Sequence, residues 1–186
     1  MTVPQLVALT AALACFASYA WGLARFFWVP REAGGRDTRA IELATAAAML
    51  AHGVALVWFF RYGALRFAAG LALYAAALAI FWWCVRINSD RPLSLAYSKD
   101  RPAHLVTRGP YAVVRHPFYV SYILCWLAGT LASGRAALLV TVAAMAWIYH
   151  RAALLEEAKF AASPLAESYR AYARRTGRYL PRLPRR

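Results

Sequence analysis

The chain of 186 residues is 62% hydrophobic with a mean hydropathy of +0.43, well above the roughly 45–50% apolar usage of soluble domains, which excludes an ordinary soluble fold and predicts a membrane protein. A formal net charge of +14 would suit nucleic acid by its size, but the placement of the basic residues argues against that partner. Three cysteines in three different apolar segments, with no CxxC pair, leave little ground for a metal site or a disulfide framework.

In chain order, uncharged stretches run from Thr2 to Ala24, Leu43 to Phe60, Phe67 to Val85 and Pro117 to Gly134, each near the roughly 20 residues that cross a hydrocarbon core. A fifth, Ala136 to Tyr149, reaches that length by continuing through His150 and Arg151 to Leu155. The first stretch lacks a basic n-region and exceeds the roughly 7–15 apolar residues of a signal-peptide core, so it is read as a helix. The expectation is an all-α polytopic membrane protein with about five transmembrane helices.

Four Arg (25, 31, 36, 39) follow the first span, six Lys/Arg (86, 91, 99, 101, 108, 115) follow the third, and nine follow Tyr149; Arg61, Arg66 and Arg135 alone fall on the opposite side. By the positive-inside rule the N-terminus is expected outside and the C-terminus in the cytoplasm, consistent with the cell inner membrane. The same charge can attract anionic membrane lipids.

The first three spans read as scaffold. Trp28, Trp58, Trp82 and Trp83 lie near span ends, where interfacial aromatics belong, and the interiors are rich in the small residues that let helices approach. His52 is the ionisable group well inside this region; with no acid in a neighbouring span to match it, it is read as a helix-to-helix hydrogen bond.

After Val85 the segment RINSDRPLSLAYSKDRPAHLVTRGPY brings prolines and alternating charge over about 25 residues, a length that loops reach when functional or disordered. Arg115-His116-Pro117 then opens the fourth span. Proline disfavours helical geometry at His116 and fits the first helical position itself, so free N–H groups at the helix start point back towards Arg and His.

The connection Ala132–Arg135 is tight enough to make spans four and five an antiparallel hairpin, which sets His116 and the pair Glu156-Glu157 at one rim. Adjacent helical residues point about 100° apart, so the two carboxylates need not face one partner. Ser163-Pro164 is expected to cap a short amphipathic cytoplasmic helix with Leu165, Tyr169, Tyr172 and Thr176 on one face, Arg170 and Arg174 on another, and Gly177 as its stop. Cations on one wall, carboxylates on the other and aromatics between suit a zwitterionic, partly aromatic ligand. S-adenosylmethionine fits, though spacing alone does not single it out.

The segment GPYAVVRHPFYVSYI, followed about 40 residues later by LLEEAKF and then by YRAY and RTGRYLP, resembles the integral-membrane methyltransferases typified by isoprenylcysteine carboxyl methyltransferase and the phospholipid methyltransferase-like proteins, over roughly residues 105 to 182. The resemblance implies S-adenosylmethionine bound in a C-terminal cytoplasmic pocket and a lipophilic acceptor that enters from the bilayer. It divides the single integrated domain into a three-helix scaffold (1–85) and a cofactor-binding region (86–186). Carried over by position, Gly109, Pro110, Tyr111, His116, Pro117, Tyr119, Glu157, Tyr169, Tyr172, Arg175 and Arg178 would bind the cofactor, with Pro181 in the closing tail. Arg115 and Glu156 would be catalytic, and no metal is expected. Two departures are an extra residue in Ser163-Pro164-Leu165-Ala166 and Gly177 in place of a proline.

Two other readings compete. A membrane reductase using a nicotinamide cofactor has a broadly similar C-terminal arrangement, but the EE pair and the RHPxY wording favour the methyltransferase. A non-enzymatic scaffold or transporter would call for polar residues near mid-membrane in several spans, and His52 alone offers that.

Overall fold

The computed structural model describes residues 1–28, 36–89, 93–94, 102 and 104–182. It is all-α apart from one parallel pairing of two-residue strands, β1 (Phe27–Trp28) with β2 (Leu93–Ser94). The helices are α1 (Val3–Phe26), α2 (Arg36–Val57), α3 (Ala64–Ile87), α4 (Pro110–Val113), α5 (Pro117–Ser133), α6 (Leu139–Ala161) and α7 (Ala166–Arg175). Part of the connector expected after Val85, namely 90–92, 95–101 and 103, lies outside the described residues.

Four of these helices are long and apolar enough to cross a membrane: α1, α2, α3 and α6 with the short 3-10 turn Ala136–Leu138 before it. The fifth expected span, α5, has 17 residues, or about 25 Å at 1.5 Å per residue. The apolar runs misplace two helix ends. Helix α2 begins at Arg36, ahead of the run that starts at Leu43, and α6 continues through Glu156-Glu157 to Ala161. Apolarity marks the part that suits lipid, whereas the backbone hydrogen-bond ladder carries the helix on into polar surroundings.

Helix α5 is the centre of the bundle and is packed against α1, α2, α3 and α6. Ala8, Ala12 and Cys15 of α1, Tyr74 and Ala77 of α3, and Cys125, Ala128 and Ala132 of α5 share one core cluster; Trp126 joins Ala48, Val142 and Met145 in a second. At Gly70 a Cβ would stand 2.8 Å from the Ala132 nitrogen and 2.9 Å from the Ala128 oxygen, so the absent side chain is what lets α3 lie against the backbone of α5.

Polar side chains stitch the same contacts. Ser121 Oγ donates to the Ala77 carbonyl at 2.8 Å, and the Tyr19 hydroxyl lies 3.0 Å from Ser121 Oγ. His52 is 2% exposed, with Nδ1 3.0 Å from the Ala48 oxygen and Nε2 3.2 Å from the Trp126 oxygen, which makes it the expected link between α2 and α5. The three cysteines are free and buried.

The α5–α6 hairpin forms as its short connection requires, with Gly134 closing α5 at φ 70°. Helix α7 starts later than expected. Ser163 Oγ donates to the Phe160 oxygen at 2.8 Å and accepts from the Leu165 N–H at 3.1 Å, so Ser163-Pro164 makes a turn and Leu165 holds the position before the helix. Tyr169, Tyr172 and Thr176 are buried and Arg170 and Arg174 exposed, as the spacing predicts.

Candidate active site

Proline sets the local geometry. His116 is non-helical, as the following proline requires, but with φ −124° and ψ 64° it falls short of the expected extended conformation; Pro117 takes the first turn of α5. Upstream, Gly109 has φ 62° and ψ −133°, from which Pro110 begins the single turn of α4. Val114 to His116 is therefore a non-helical bridge from α4 to α5, extended at Val114, and its backbone donors need partners.

The C-terminal tail supplies them. Arg115 N–H donates to the Gly177 oxygen at 2.8 Å and His116 N–H to the Arg178 oxygen at 3.2 Å, with Val114 paired to Gly177 in parallel. Gly177 is not the helix stop expected of it, since its φ is not positive; a side chain there would run into the Leu180 carbonyl oxygen. The glycine serves the close approach of the tail instead.

This pairing gathers side chains around α6. Glu157 receives Arg178 through both oxygens (Nε to Oε1 2.9 Å, Nη2 to Oε2 2.7 Å), Arg115 Nη2 at 3.4 Å and His116 Nε2 at 3.1 Å. Glu156 accepts from the Tyr119 hydroxyl at 2.5 Å and faces His116 Nδ1 at 3.3 Å. Glu157 is thus the hub of the cluster. Glu156, whose side chain is 29% exposed against 15% for Glu157, is the more open carboxylate.

Both nitrogens of His116 face carboxylate oxygens, which only accept, so the ring satisfies both by carrying two hydrogens as an imidazolium. Burial alone would lower its pKa; the hydrogen bonds and charges of Glu156 and Glu157 outweigh that and raise it above the ordinary value. Three cations, Arg115, His116 and Arg178, then surround two carboxylates, leaving the cluster positive.

Aromatic rings continue the site into the bundle. His116 stacks on Tyr119 (centroids 5.6 Å, planes 15° apart) and Tyr119 on Tyr149 (5.6 Å, 8°). On the α7 side Tyr169 stacks on Phe160 (4.8 Å, 8°), and the Tyr172 hydroxyl donates to the Tyr111 oxygen at 2.7 Å.

The structure therefore brings Tyr111, Arg115, His116, Tyr119, Glu156, Glu157, Tyr169, Tyr172 and Arg178 to one rim, shaped by Gly109, Pro110 and Pro117. Arg175 is exposed at the end of α7, apart from these contacts, and Pro181 is exposed in the tail. Sequence reasoning passed over Asn88, Tyr149, His150 and Tyr179. Tyr179 is the aromatic of RTGRYLP and its hydroxyl lies 3.1 Å from His150 Nδ1, a link that motif spacing could have suggested.

Two polar atoms here are buried and lack a hydrogen-bond partner among the described residues: Arg115 Nε and the Tyr169 hydroxyl, the latter in the field of Glu157. A guanidinium donor, a hydroxyl and the open side of Glu156 form a donor and acceptor set that fits a ligand with a carboxylate, an amino group and hydroxyls.

The family model described as phospholipid methyltransferase matches residues 65–168, which run from the start of α3 into α7 and include His116 and both glutamates. Over 80 residues the chain is 41% identical to the cobalt-zinc-cadmium resistance protein CzcN of Cupriavidus metallidurans, covering 42% of this chain and 36% of that protein. No solved structure matches the chain.

Proposed function

The chain belongs to the phospholipid methyltransferase family, and from that premise we propose that it is an S-adenosylmethionine-dependent methyltransferase acting on a lipophilic acceptor, a lipid or small apolar molecule, reached from the bilayer. The observation that carries this reading is the rim cluster inside the family's segment, where Glu156 stays open while Arg115 Nε and the Tyr169 hydroxyl lack partners.

When bound, S-adenosylmethionine supplies an electrophilic methyl group on a sulfonium sulfur. Arg115 and Tyr169 would hold its carboxylate or hydroxyls, Glu156 its cationic side, and the Tyr119–Tyr149 stack an apolar wall. The tail, tied to the rim through Gly177 and Arg178, excludes water from a displacement that depends on proximity and desolvation. His116, fixed between two carboxylates as a cation, has no lone pair with which to act as a base. Where the acceptor carries a proton, Glu156 is the group placed to take it. The basic residues support a cytoplasmic rim and an external N-terminus in the cell inner membrane.

Thermal-shift measurements on detergent-solubilised protein test the reading. S-adenosylhomocysteine is expected to raise the melting temperature and NADPH to leave it unchanged. The reverse result would favour a membrane reductase, and no shift with either ligand would leave a non-enzymatic scaffold.

A further inference from the structure

The rim opposite the ion cluster gathers arginines without an acid. It is formed by the end of α2, the start of α3 and the α5–α6 connection, and the Arg61 N–H ties the α2–α3 loop to that connection by donating to the Ser133 oxygen at 2.9 Å. Arg66, in the first turn of α3, bonds through Nη2 to the Arg61 oxygen at 2.8 Å and the Tyr62 oxygen at 3.2 Å. Arg135 Nε donates to the Phe59 oxygen, and its guanidinium lies over the Phe59 ring, 5.6 Å from the centroid. Two guanidinium groups are thus drawn to one short loop, 59–62, on which Arg61 is itself exposed.

The sequence supplies no acid there. Asp and Glu are missing from 1–31, 43–89 and 101–155, the segments that build this rim, and the carbonyl oxygens that the arginines meet carry no net charge. Arg66 Nε and Nη1, both terminal nitrogens of Arg135 and the Arg61 guanidinium have no hydrogen-bond partner among the described residues. The positive-inside bias places cations at the other rim, so it gives no reason for three here. Like charges gathered on one loop repel, and an anion that accepts their free hydrogens removes the repulsion.

Beside Arg66 a groove of about 530 Å³ between α3 and α5 is lined by Gly63, Ala64, Leu65, Arg66, Ala69 and Leu131, within the roughly 300–1,000 Å³ of small-ligand sites. Apart from the Arg66 guanidinium its side chains are apolar. Trp58, Phe59 and Tyr62 are exposed on the adjoining loop, where interfacial aromatics mark head-group depth. A free anion has no use for the apolar lining. A zwitterionic lipid brings an ammonium group to a rim that has no carboxylate to meet it.

We propose that this rim binds an anionic phospholipid, with its phosphate on Arg66 and Arg135 and an acyl chain in the groove along Ala69 and Leu131. The phosphodiester oxygens accept the guanidinium hydrogens that the loop leaves over. Through the two arginines the lipid fastens the α2–α3 loop to the α5–α6 connection. The site lies at the far end of α3 from the ion cluster, 24 residues or about 36 Å at 1.5 Å per residue, so its lipid is not the methyl acceptor.

The test uses the full chain in detergent with a phosphatidylglycerol analogue that carries a photoreactive group in one acyl chain close to the glycerol. Cross-linked peptides are expected to map to residues 63–69 or 128–135. Unlabelled phosphatidylglycerol should displace that label, whereas phosphatidylcholine of the same chains and inorganic phosphate should not. Equal displacement by phosphatidylcholine reduces the groove to ordinary lipid contact and overturns the proposal. Displacement by inorganic phosphate reduces the rim to an ion site, and label confined to other segments, the basic tail included, places the lipid elsewhere; either result overturns it as well.

Arg66→Gln combined with Arg135→Gln is expected to weaken the competition by phosphatidylglycerol at least about tenfold. Ala69→Trp fills the groove from an exposed position with the arginines in place, and should lose the label at 128–135. Unchanged competition in the folded double variant, or unchanged label in Ala69→Trp, overturns the proposal. Should the double variant not fold, Ala69→Trp and the wild-type competitions decide.

Discussion

Glu156 and Glu157 are neighbours on α6, and their surroundings give them opposite duties. Glu157 meets Arg115, His116 and both nitrogens of one edge of Arg178, so its loss strands charges in a mostly buried place. Glu157→Gln is expected to destabilise by about 2 kcal/mol, less than the cost of breaking a fully buried pair because Arg178 is 31% exposed. In a chain of this length that is a fall of about 4–8 °C in melting temperature. Glu156→Gln should melt within a few degrees of wild type and lose methyl transfer instead. A thermal melt beside a turnover assay separates the two. The turn of about 100° between adjacent helical positions predicted that the two would part, but not which of them would meet the cations, because that depends on which way the tail brings Arg178.

His116 adds a pH dependence of definite sign. Its folded pKa is raised, so the stability it contributes is complete below the unfolded value of about 6.5 and is lost as pH rises through the folded value. Wild-type protein should melt progressively lower above about pH 6.5, and His116→Gln should lose that part of the slope. Equal slopes in the two proteins would remove the imidazolium.

At the scale of elements, the tail is the part that converts a helical hairpin into a site. Residues 176–182 are tied to the non-helical bridge by two backbone hydrogen bonds, and the approach requires Gly177 to have no side chain. Gly177→Val is expected to release the tail, weakening S-adenosylhomocysteine binding at least about tenfold while the bundle stays folded. Calorimetry, with hydrogen exchange at residues 115–116, checks both halves of that statement. The α5–α6 hairpin and the buried face of α7 were legible because short connections and helical spacing are local. The role of Gly177 was not, since a glycine after a basic helix end reads equally as a stop. The same holds for Ser163, whose hydroxyl closes a turn in a sequence that also spells a helix cap.

At the scale of the whole molecule, the sequence marked which stretches suit lipid but not where the helices end, as Arg36 at the start of α2 shows. Asn88 escaped for a related reason: beside a charged connector it looks like one more loop residue, and only the return of Tyr111 onto α3 buries it. Family resemblance reached the rim and stopped short of the acceptor.

The shortness of α5 has a consequence for depth. Its 17 residues span about 25 Å against a hydrocarbon core of about 30 Å, and α6 runs on past Glu157 to Ala161. With the Gly134 end of α5 level with one lipid boundary, His116 and the two glutamates would lie about 5 Å inside the other. A lipid head group at such a site descends towards the chemistry rather than rising out of the membrane to meet it. Turnover in nanodiscs should accordingly be fastest in short-chain, thin bilayers and fall as the acyl chains lengthen, a trend that a site level with the lipid surface would not show.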